Sequence, residues 1–345
     1  MNVTVLVAGG AGFIGSAFVR LLARERPSWT VVVYDKLTYA GNLANLHEAE
    51  GAYAFVRGDI TDASAVRATL RDYGVTAVVN FAAETHVDRS IMSGREFIET
   101  DVVGTYVVLT EARAAGVSRI VQVSTDEVYG SMPVRAAAED APLSPNSPYS
   151  ASKAGGDLQA LAAVRTYHLP VLITRGSNTY GPYQYPEKVI PLFITNLLQG
   201  KRVPLYGDGR HQRDWLYVDD HARGVLTVLE RGEVGGVYNL GSTTEVTNLA
   251  LTQMILRELG RGDEWVEYVA DRPGHDRRYA LDSSRAHALG WEPQMSLAEG
   301  LRSTIAWYRQ RADWWQPLKS GAFEAYYQKQ YGERAVPAAA APGAE

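Results

Sequence analysis

At 345 residues with 46% apolar side chains, the chain is long enough for one large domain or two closely associated ones. A net charge of −5 gives no electrostatic ground for nucleic-acid binding, and no Lys/Arg run marks a membrane surface; local basic pockets for a phosphate remain open. The absence of cysteine excludes disulfides, thiolate metal sites and thiol nucleophiles.

The amino-terminal residues 1–8 lack a basic n-region and are too short for a signal h-region, and no later apolar run reaches a membrane span, so a cytoplasmic protein is expected. Val3 to Val7 reads as a strand. Gly9, Gly12 and Gly15 follow in a G-x-x-G-x-x-G loop, and Phe13, Ile14, Phe18, Leu21 and Leu22 then recur at helical spacing. Missing side chains there let a pyrophosphate approach the backbone and the helix amino terminus. A second strand, Trp29 to Tyr34, ends at Asp35, whose carboxylate can accept from a ribose diol and would repel a 2′-phosphate, favouring NAD over NADP. Glycines alone serve any tight turn. A strand before, a helix after and the acid in place together point to a dinucleotide.

Tyr53 to Val56 leads to Asp59 and Ile60, Ala63 to Tyr73 reads as a helix, and Ala77 to Phe81 as a strand running into Ala82 and Ala83. Those alanines suit either a flat cofactor or close strand–helix packing. Phe97 to Ala115 reads as a long helix and Arg119 to Val123 as a buried strand. Repeated β-α units predict an α/β fold with a doubly wound parallel sheet of Rossmann type.

Thr125, Asp126 and Glu127 fall just past a strand's carboxyl end, where open α/β sheets bind ligands. Two adjacent carboxylic side chains and a hydroxyl offer a proton donor and a proton acceptor together, as an elimination requires; an acidic turn facing solvent explains them as well. After a Pro- and Ser-rich stretch over 132–148, Tyr149 and Lys153 stand four apart on one helix face. An ammonium beside a phenol lowers its pKa from about 10, making Tyr149 a candidate base, although such pairs are common on surface helices.

Beyond the strand Val171 to Thr174 the alternation becomes irregular. An NAD-binding domain is expected over 1–177 and a smaller, mixed α/β substrate domain over 178–330, with the lobes interleaved. The Ala/Pro/Gly-rich residues 336–345 are expected to be disordered. Cations in 186–188, 213–218 and 271–278 suit a diphosphate, arginine through paired hydrogen bonds, though a solvated charged face explains any one of them. The seven histidines show no spacing that argues for a metal.

The blocks 35–42, 82–90, 124–130, 149–153, 183–188 and 213–218 resemble the extended short-chain dehydrogenase/reductase family, and within it the nucleotide-sugar dehydratases that act on dTDP-glucose. The resemblance runs from Val3 to about Trp315. It implies a redox-neutral hydro-lyase with tightly bound NAD and no metal. Tyr149, assisted by Lys153 and Thr125, takes the proton of the carbon-4 hydroxyl as hydride passes to NAD. Glu127 removes the carbon-5 proton, Asp126 protonates the hydroxyl leaving carbon 6, and hydride returns to carbon 6 and a proton to carbon 5, leaving a 4-keto-6-deoxy sugar nucleotide.

The same resemblance implies cofactor contacts from Gly9, Gly12, Phe13, Ile14, Gly15, Asp35, Lys36, Leu37, Thr38, Asp59, Ile60, Phe81, Ala82, Ala83, Thr85, Thr100, Tyr149, Lys153 and Thr179. It implies a nucleotide-sugar site from Thr85, Thr125, Asn178, Lys188, Val189, Pro204, Leu205, Tyr206, Arg213, Asn248, Asp271, Arg272 and His275. A homodimer paired through 97–115 and 149–167 is also implied. Thr179 stands where the family often has Asn, Thr85 where many members have Ser, and Ala8 where Thr is commoner. The same mechanism on UDP-glucose remains a close alternative. A 4-epimerase fits less well because it needs no acid pair, GDP-mannose dehydratases because they have Ser in place of Asp126, and inverting amino-sugar dehydratases because they have Lys in place of Glu127. A non-catalytic NAD-binding sensor would be expected to have lost the Tyr/Lys pair or the acids, whereas Thr125, Asp126, Glu127, Tyr149 and Lys153 are all present.

Overall fold

The computed structural model describes residues 3–332, so the tail expected to be disordered lies outside the described residues. Six valine- and isoleucine-bearing segments in its first half form strands: β1 (Thr4–Ala8), β2 (Thr30–Asp35), β3 (Ala54–Arg57), β4 (Ala77–Asn80), β5 (Arg119–Thr125) and β6 (Val171–Gly176). After them come β7 (Asn178–Tyr180), β8 (Val203–Tyr206), β9 (Gln212–Tyr217), β10 (Val237–Leu240), β11 (Glu245–Thr247) and β12 (Val266–Val269). Seven strands pair in parallel in the order β10-β6-β5-β4-β1-β2-β3. The winding reverses between β1 and β4, which places the ligand crevice of such a sheet at their carboxyl ends.

The helices are α1 (Phe13–Glu25), α2 (Ala63–Asp72), α3 (Val87–Met92), α4 (Arg95–Phe97), α5 (Thr105–Ala114), α6 (Pro148–Tyr167), α7 (Val189–Leu198), α8 (Val218–Arg231), α9 (Asn248–Glu258), α10 (Ser284–Ala288), α11 (Leu297–Gln310), α12 (Ala312–Trp315) and α13 (Ala322–Tyr327). Apolar stripes of α1 and α8 cover one face of the large sheet, and those of α2, α5 and α6 cover the other. With helices on both sides the central strands have no solvent face, which is why they read as continuous apolar runs. The smaller lobe holds a three-stranded sheet, β11-β9-β7, and the pair β12-β8. Its separate core is aromatic, with Tyr180, Trp215, Tyr217, Tyr308, Trp314 and Trp315 packed among α7, α9 and α11.

Beyond residue 178 the chain returns to the large sheet: α8 packs on α1, and β10 closes the edge beside β6. Two expectations are corrected. The helix expected over 97–115 is not uniform, since α4 and α5 are joined by a π-helical stretch, Ile98–Gly104. This stretch packs on α6 so closely that a Cβ on Gly156 would stand 2.7 Å from the Asp101 carbonyl oxygen. Finally, β5 extends through Thr125 and β6 through Gly176. Arg175, which breaks the apolar run in β6, is neutralised inside the protein by Asp157, Nε to Oδ2 at 2.9 Å.

Candidate active site

The cofactor side is built by β1, α1 and the ends of β2 and β4. Gly9 adopts φ +71°, and a Cβ on it would lie 2.5 Å from the Ala82 nitrogen, so only glycine permits β1 and β4 to close together here. At the start of α1, Gly12 supplies no side-chain cap and the first turn holds no acid. The helix's free N–H groups and positive end therefore face the cleft uncompensated. Asp35, buried at the end of β2, accepts from the Ala11 N–H at 2.9 Å and the Leu37 N–H at 2.8 Å, and burial raises its pKa against those two bonds.

Every residue expected to hold the cofactor lines one continuous cleft except Leu37. Leu37 takes a left-handed conformation, φ +57°, that aims its N–H at Asp35 while its side chain packs on the core. Lys36 and Asp59 also pair with each other, at 2.6 Å. The same cleft holds Thr125, Asp126, Glu127, Tyr149 and Lys153, together with Thr85, Asn178, Lys188 and Val189.

Thr125 is the last residue of β5 and caps the following turn, Asp126–Tyr129, accepting the Glu127 N–H at 3.3 Å and donating to Asp126 Oδ1 at 3.1 Å. Asp126 Oδ2 is buried and meets no donor among the described residues. Burial, then the neighbouring Glu127 charge, pushes the Asp126 pKa well up, which favours its protonated form. Burial raises Glu127 as well, against the charges of Arg272, Arg213 and Lys188. Two adjacent acids thus occupy different environments, one pushed toward the neutral form and one attended by three cations.

Tyr149 departs from expectation. Its phenol pKa is raised well above the ordinary value, chiefly by burial and then by the charges of Glu127 and Asp101, against a hydrogen bond with Thr125. Lys153 donates to the Val123 carbonyl at 2.9 Å, anchoring α6 to β5. Ser147 caps α6 in a reciprocal capping box with Ser150, and Pro148 fills the first helical position, which fixes the turn that carries Tyr149.

The remaining substrate-side residues lie outside this lining, on the adjoining wall of the smaller lobe. Pro204 and Leu205 are buried within β8. Tyr206 donates to Asp88 at 3.3 Å, and Arg272 lies 3.5 Å from the same carboxylate. The Arg213 guanidinium sits 4.2 Å over the Tyr279 ring, and the Tyr279 hydroxyl reaches Asp276 at 2.8 Å and Glu127 at 3.5 Å. Asn178 Oδ1, Asn248 Oδ1 and Arg272 Nε are buried and unpaired within the described residues, an orphaned polar set that suits a polar ligand.

Asp271 binds His275 at 2.6 Å and approaches His211 at 3.3 Å, and the two imidazoles stack at 3.7 Å. Three such groups have the composition of a metal site, but Arg272, Arg213 and Arg277 all face His275, so the local field opposes a cation. The distances in sequence between His211, Asp271 and His275 gave no signal of this cluster. Tyr279, Asp276, Asp101 and His221 were also missed. His221 bonds Thr179 at 2.7 Å and lines the cleft from α8, a helix the sequence alternation did not assign to the cofactor side.

A family model described as GDP-mannose 4,6 dehydratase matches residues 6–304. A dTDP-glucose 4,6-dehydratase of Streptomyces niveus is 50% identical over 323 residues, covering 92% of this chain and 96% of that protein. The dTDP-glucose 4,6-dehydratase 1 of Escherichia coli is 44% identical, covering 96% and 99%. Among solved structures, DesIV, a dTDP-glucose 4,6-dehydratase of Streptomyces venezuelae with NAD and TYD bound, superimposes with a TM-score of 0.89 at 54% identity over 92% of this chain and all of that one.

Proposed function

The chain belongs to the dTDP-glucose 4,6-dehydratases, within the wider nucleotide-sugar dehydratase family, and we propose that it removes water from dTDP-glucose to give dTDP-4-keto-6-deoxyglucose, with NAD restored in every cycle. The observation that carries this reading is the buried pair Asp126 and Glu127, one pushed toward the neutral form and one cation-attended, beside Tyr149 in the dinucleotide cleft. A cleft that transferred hydride alone would have no use for a second acid.

The residues present fit NAD. The uncapped amino terminus of α1 suits its pyrophosphate, Asp35 its ribose, and the flat Ala82–Ala83 wall its rings. When bound, NAD supplies the hydride acceptor of the first step and the donor of the last.

Tyr149 takes the proton of the carbon-4 hydroxyl as phenolate, with Thr125 holding the phenol oxygen; burial raises its pKa, and the positive charge of NAD, when bound, would act in the opposite direction. The ketone so formed acidifies the neighbouring carbon-5 proton, which Glu127 removes as a carboxylate. Asp126, whose protonated form burial favours, gives its proton to the hydroxyl leaving carbon 6, and water departs. Hydride return to carbon 6 is completed by a proton returned to carbon 5, which Glu127 is placed to give back. Lys153 fixes α6 against β5, and Lys188, Arg213 and Arg272 attract the diphosphate while opposing the upward shift that burial gives Glu127. Tyr206, Asn178, Asn248, Asp271 and His275 orient the nucleotide.

No helix among the described residues is long and apolar enough to cross a membrane. A cytoplasmic homodimer is the proposed working form. Its support is the exposed apolar face made by Ile98, Val103 and Tyr106 next to Leu158 of α6.

The deciding experiment incubates the purified protein with dTDP-glucose and with UDP-glucose separately and follows the loss of one water by mass spectrometry. Loss from dTDP-glucose is expected, and loss only from UDP-glucose would reassign the substrate. In Glu127→Gln water loss should fall by about 10²–10⁴-fold, the usual contribution of one positioned acid or base, while NAD stays bound. Full activity in that variant would sink the assigned role.

A further inference from the structure

The two walls of the cofactor cleft are joined by a buried cluster that no catalytic step uses. Thr38, Ala40 and Gly41, in the loop after β2, line the cleft on one side, and Tyr185 and Glu187 line it on the other. Between them, the Tyr39 hydroxyl donates to Glu187 Oε1 at 2.9 Å. Arg89 of α3 donates its Nε–H to Glu187 Oε2, also at 2.9 Å. The Arg89 guanidinium is held between the rings of Tyr39 and Tyr326, 4.1 and 4.5 Å from their centroids. Tyr185 meets the Tyr39 ring edge-on at 5.3 Å. Two segments distant in sequence therefore donate to one carboxylate whose side chain is 1% exposed, and Tyr326 from a third braces the Arg89 guanidinium.

Such a buried ion pair adds little net stability, since stripping water from both charges offsets their attraction; its best-attested use is to fix how two elements meet. Here each oxygen of Glu187 is engaged by a donor from the cofactor side. Losing either donor leaves a buried carboxylate under-satisfied, so partial opening is disfavoured and the joint is either made or broken. The loop bearing Tyr39 also folds back tightly on the ribose acid: a Cβ on Gly41 would stand 2.8 Å from Asp35 Oδ1. Lifting that loop uncovers Asp35.

We propose that Tyr39, Glu187 and Arg89 form a clasp across the cofactor cleft that sets how slowly NAD leaves the protein. This rests on the dehydratase reading, in which the cofactor is restored in place and release serves no step. The clasp residues act by holding the loop, and none is assigned to the reacting atoms.

The test loads the purified protein with labelled NAD, adds excess unlabelled NAD, and follows the label retained through rapid gel filtration. Tyr39→Phe deletes one hydrogen bond at constant shape and should exchange NAD about tenfold faster, the scale of one lost bond to a charged group. Glu187→Gln should exchange at least as fast as Tyr39→Phe. Glu230→Gln serves as control, because it breaks a bidentate pair with Arg26 (2.6 and 2.9 Å) away from the cleft and should exchange at the parent rate. Parent-like exchange in both clasp variants overturns the proposal, as does equal acceleration in all three, which would mean general loosening. A parent that neither carries NAD from purification nor takes it up overturns the dehydratase reading itself, whereas a parent that holds label while the clasp variants do too sinks the clasp alone.

Discussion

Asp126 and Glu127 are sequence neighbours, yet their surroundings separate them: Asp126 is buried with one oxygen held by Thr125 and the other unpaired among the described residues, and Glu127 faces Arg272, Arg213 and Lys188. Activity should therefore follow a bell in pH, failing on the acid side as Glu127 takes a proton and on the alkaline side as Asp126 loses one. Asp126→Asn should lower kcat by about 10²-fold or more and remove the alkaline limb that belongs to the acid; a pH–rate profile of the variant checks this, and an unchanged alkaline limb would assign it to another group. The residue types of this pair were legible in the sequence because adjacent acids at a strand's end are a local pattern. Their division of labour was not, because it depends on arginines 86 and 145 residues away. The same holds for Tyr149. The pattern Tyr-x-x-x-Lys implies a lowered phenol pKa, but burial and the Glu127 charge, which only the fold brings to it, push the other way. Glu127→Gln removes one of those raising charges and should lower the Tyr149 pKa, a shift readable by ultraviolet titration of the phenol against a Tyr149→Phe reference.

At the level of elements, the first turn of α6 and the seat of the carboxyl-terminal segment are the places where local chemistry bears on the site. Ser147→Ala deletes the cap of the turn that carries Tyr149 and should cost about 1 kcal/mol. Thermal unfolding measures that cost, and a fall in kcat without a rise in KM would locate the effect at Tyr149. Lys319, just before α13, is buried against α7 with its ammonium on Thr195 Oγ1 at 3.0 Å and Asn196 Oδ1 at 2.7 Å. Burial, then Lys201, lowers its pKa from 10.5 to about 7. A lysine whose folded pKa is lowered binds fewer protons folded than unfolded between those values, so its contribution to stability rises as pH climbs from about 7 toward 10.5. The melting temperature of the parent should climb relative to Lys319→Met across that window, and parallel curves would show that Lys319 titrates normally. The large sheet was readable because its strands are apolar on both faces and alternate with helices. The strands β7, β9 and β11 were not, because β7 and β11 are three residues each and are set only by pairing with β9, more than 30 residues away in sequence, which leaves no local period. The return of α8 and β10 to the large sheet likewise rests on a crossover connection and on no composition shift.

For the whole molecule, the helix bundle that buries the site on one side exposes an apolar face on the other. Thr100 lines the cleft, whereas Ile98, Val103 and Tyr106, on the same π-helical stretch and α5, are 57%, 45% and 56% exposed, and Leu158 of α6 is 56% exposed. A scattered leucine needs no explanation, but four large apolar side chains on two touching helices form a patch of the kind that a second copy covers. The two helices also carry Tyr149, Lys153 and Asp101 on their inner faces, so pairing would stiffen the frame in which the proton transfers occur. Placing a carboxylate in such an interface leaves it desolvated and unpaired, which disfavours association by several kcal/mol. Leu158→Glu should therefore halve the mass seen by light scattering and lower kcat at saturating NAD, while Val134→Glu, a substitution at an 84% exposed site outside both helices, should change neither. If the parent already runs as a monomer, the exposed face has no partner of its own kind. If Leu158→Glu dissociates with kcat intact, the dimer exists and contributes nothing to catalysis. A joint loss of mass and rate, restored together by Leu158→Met, would tie the outer faces of these helices to the chemistry on their inner ones.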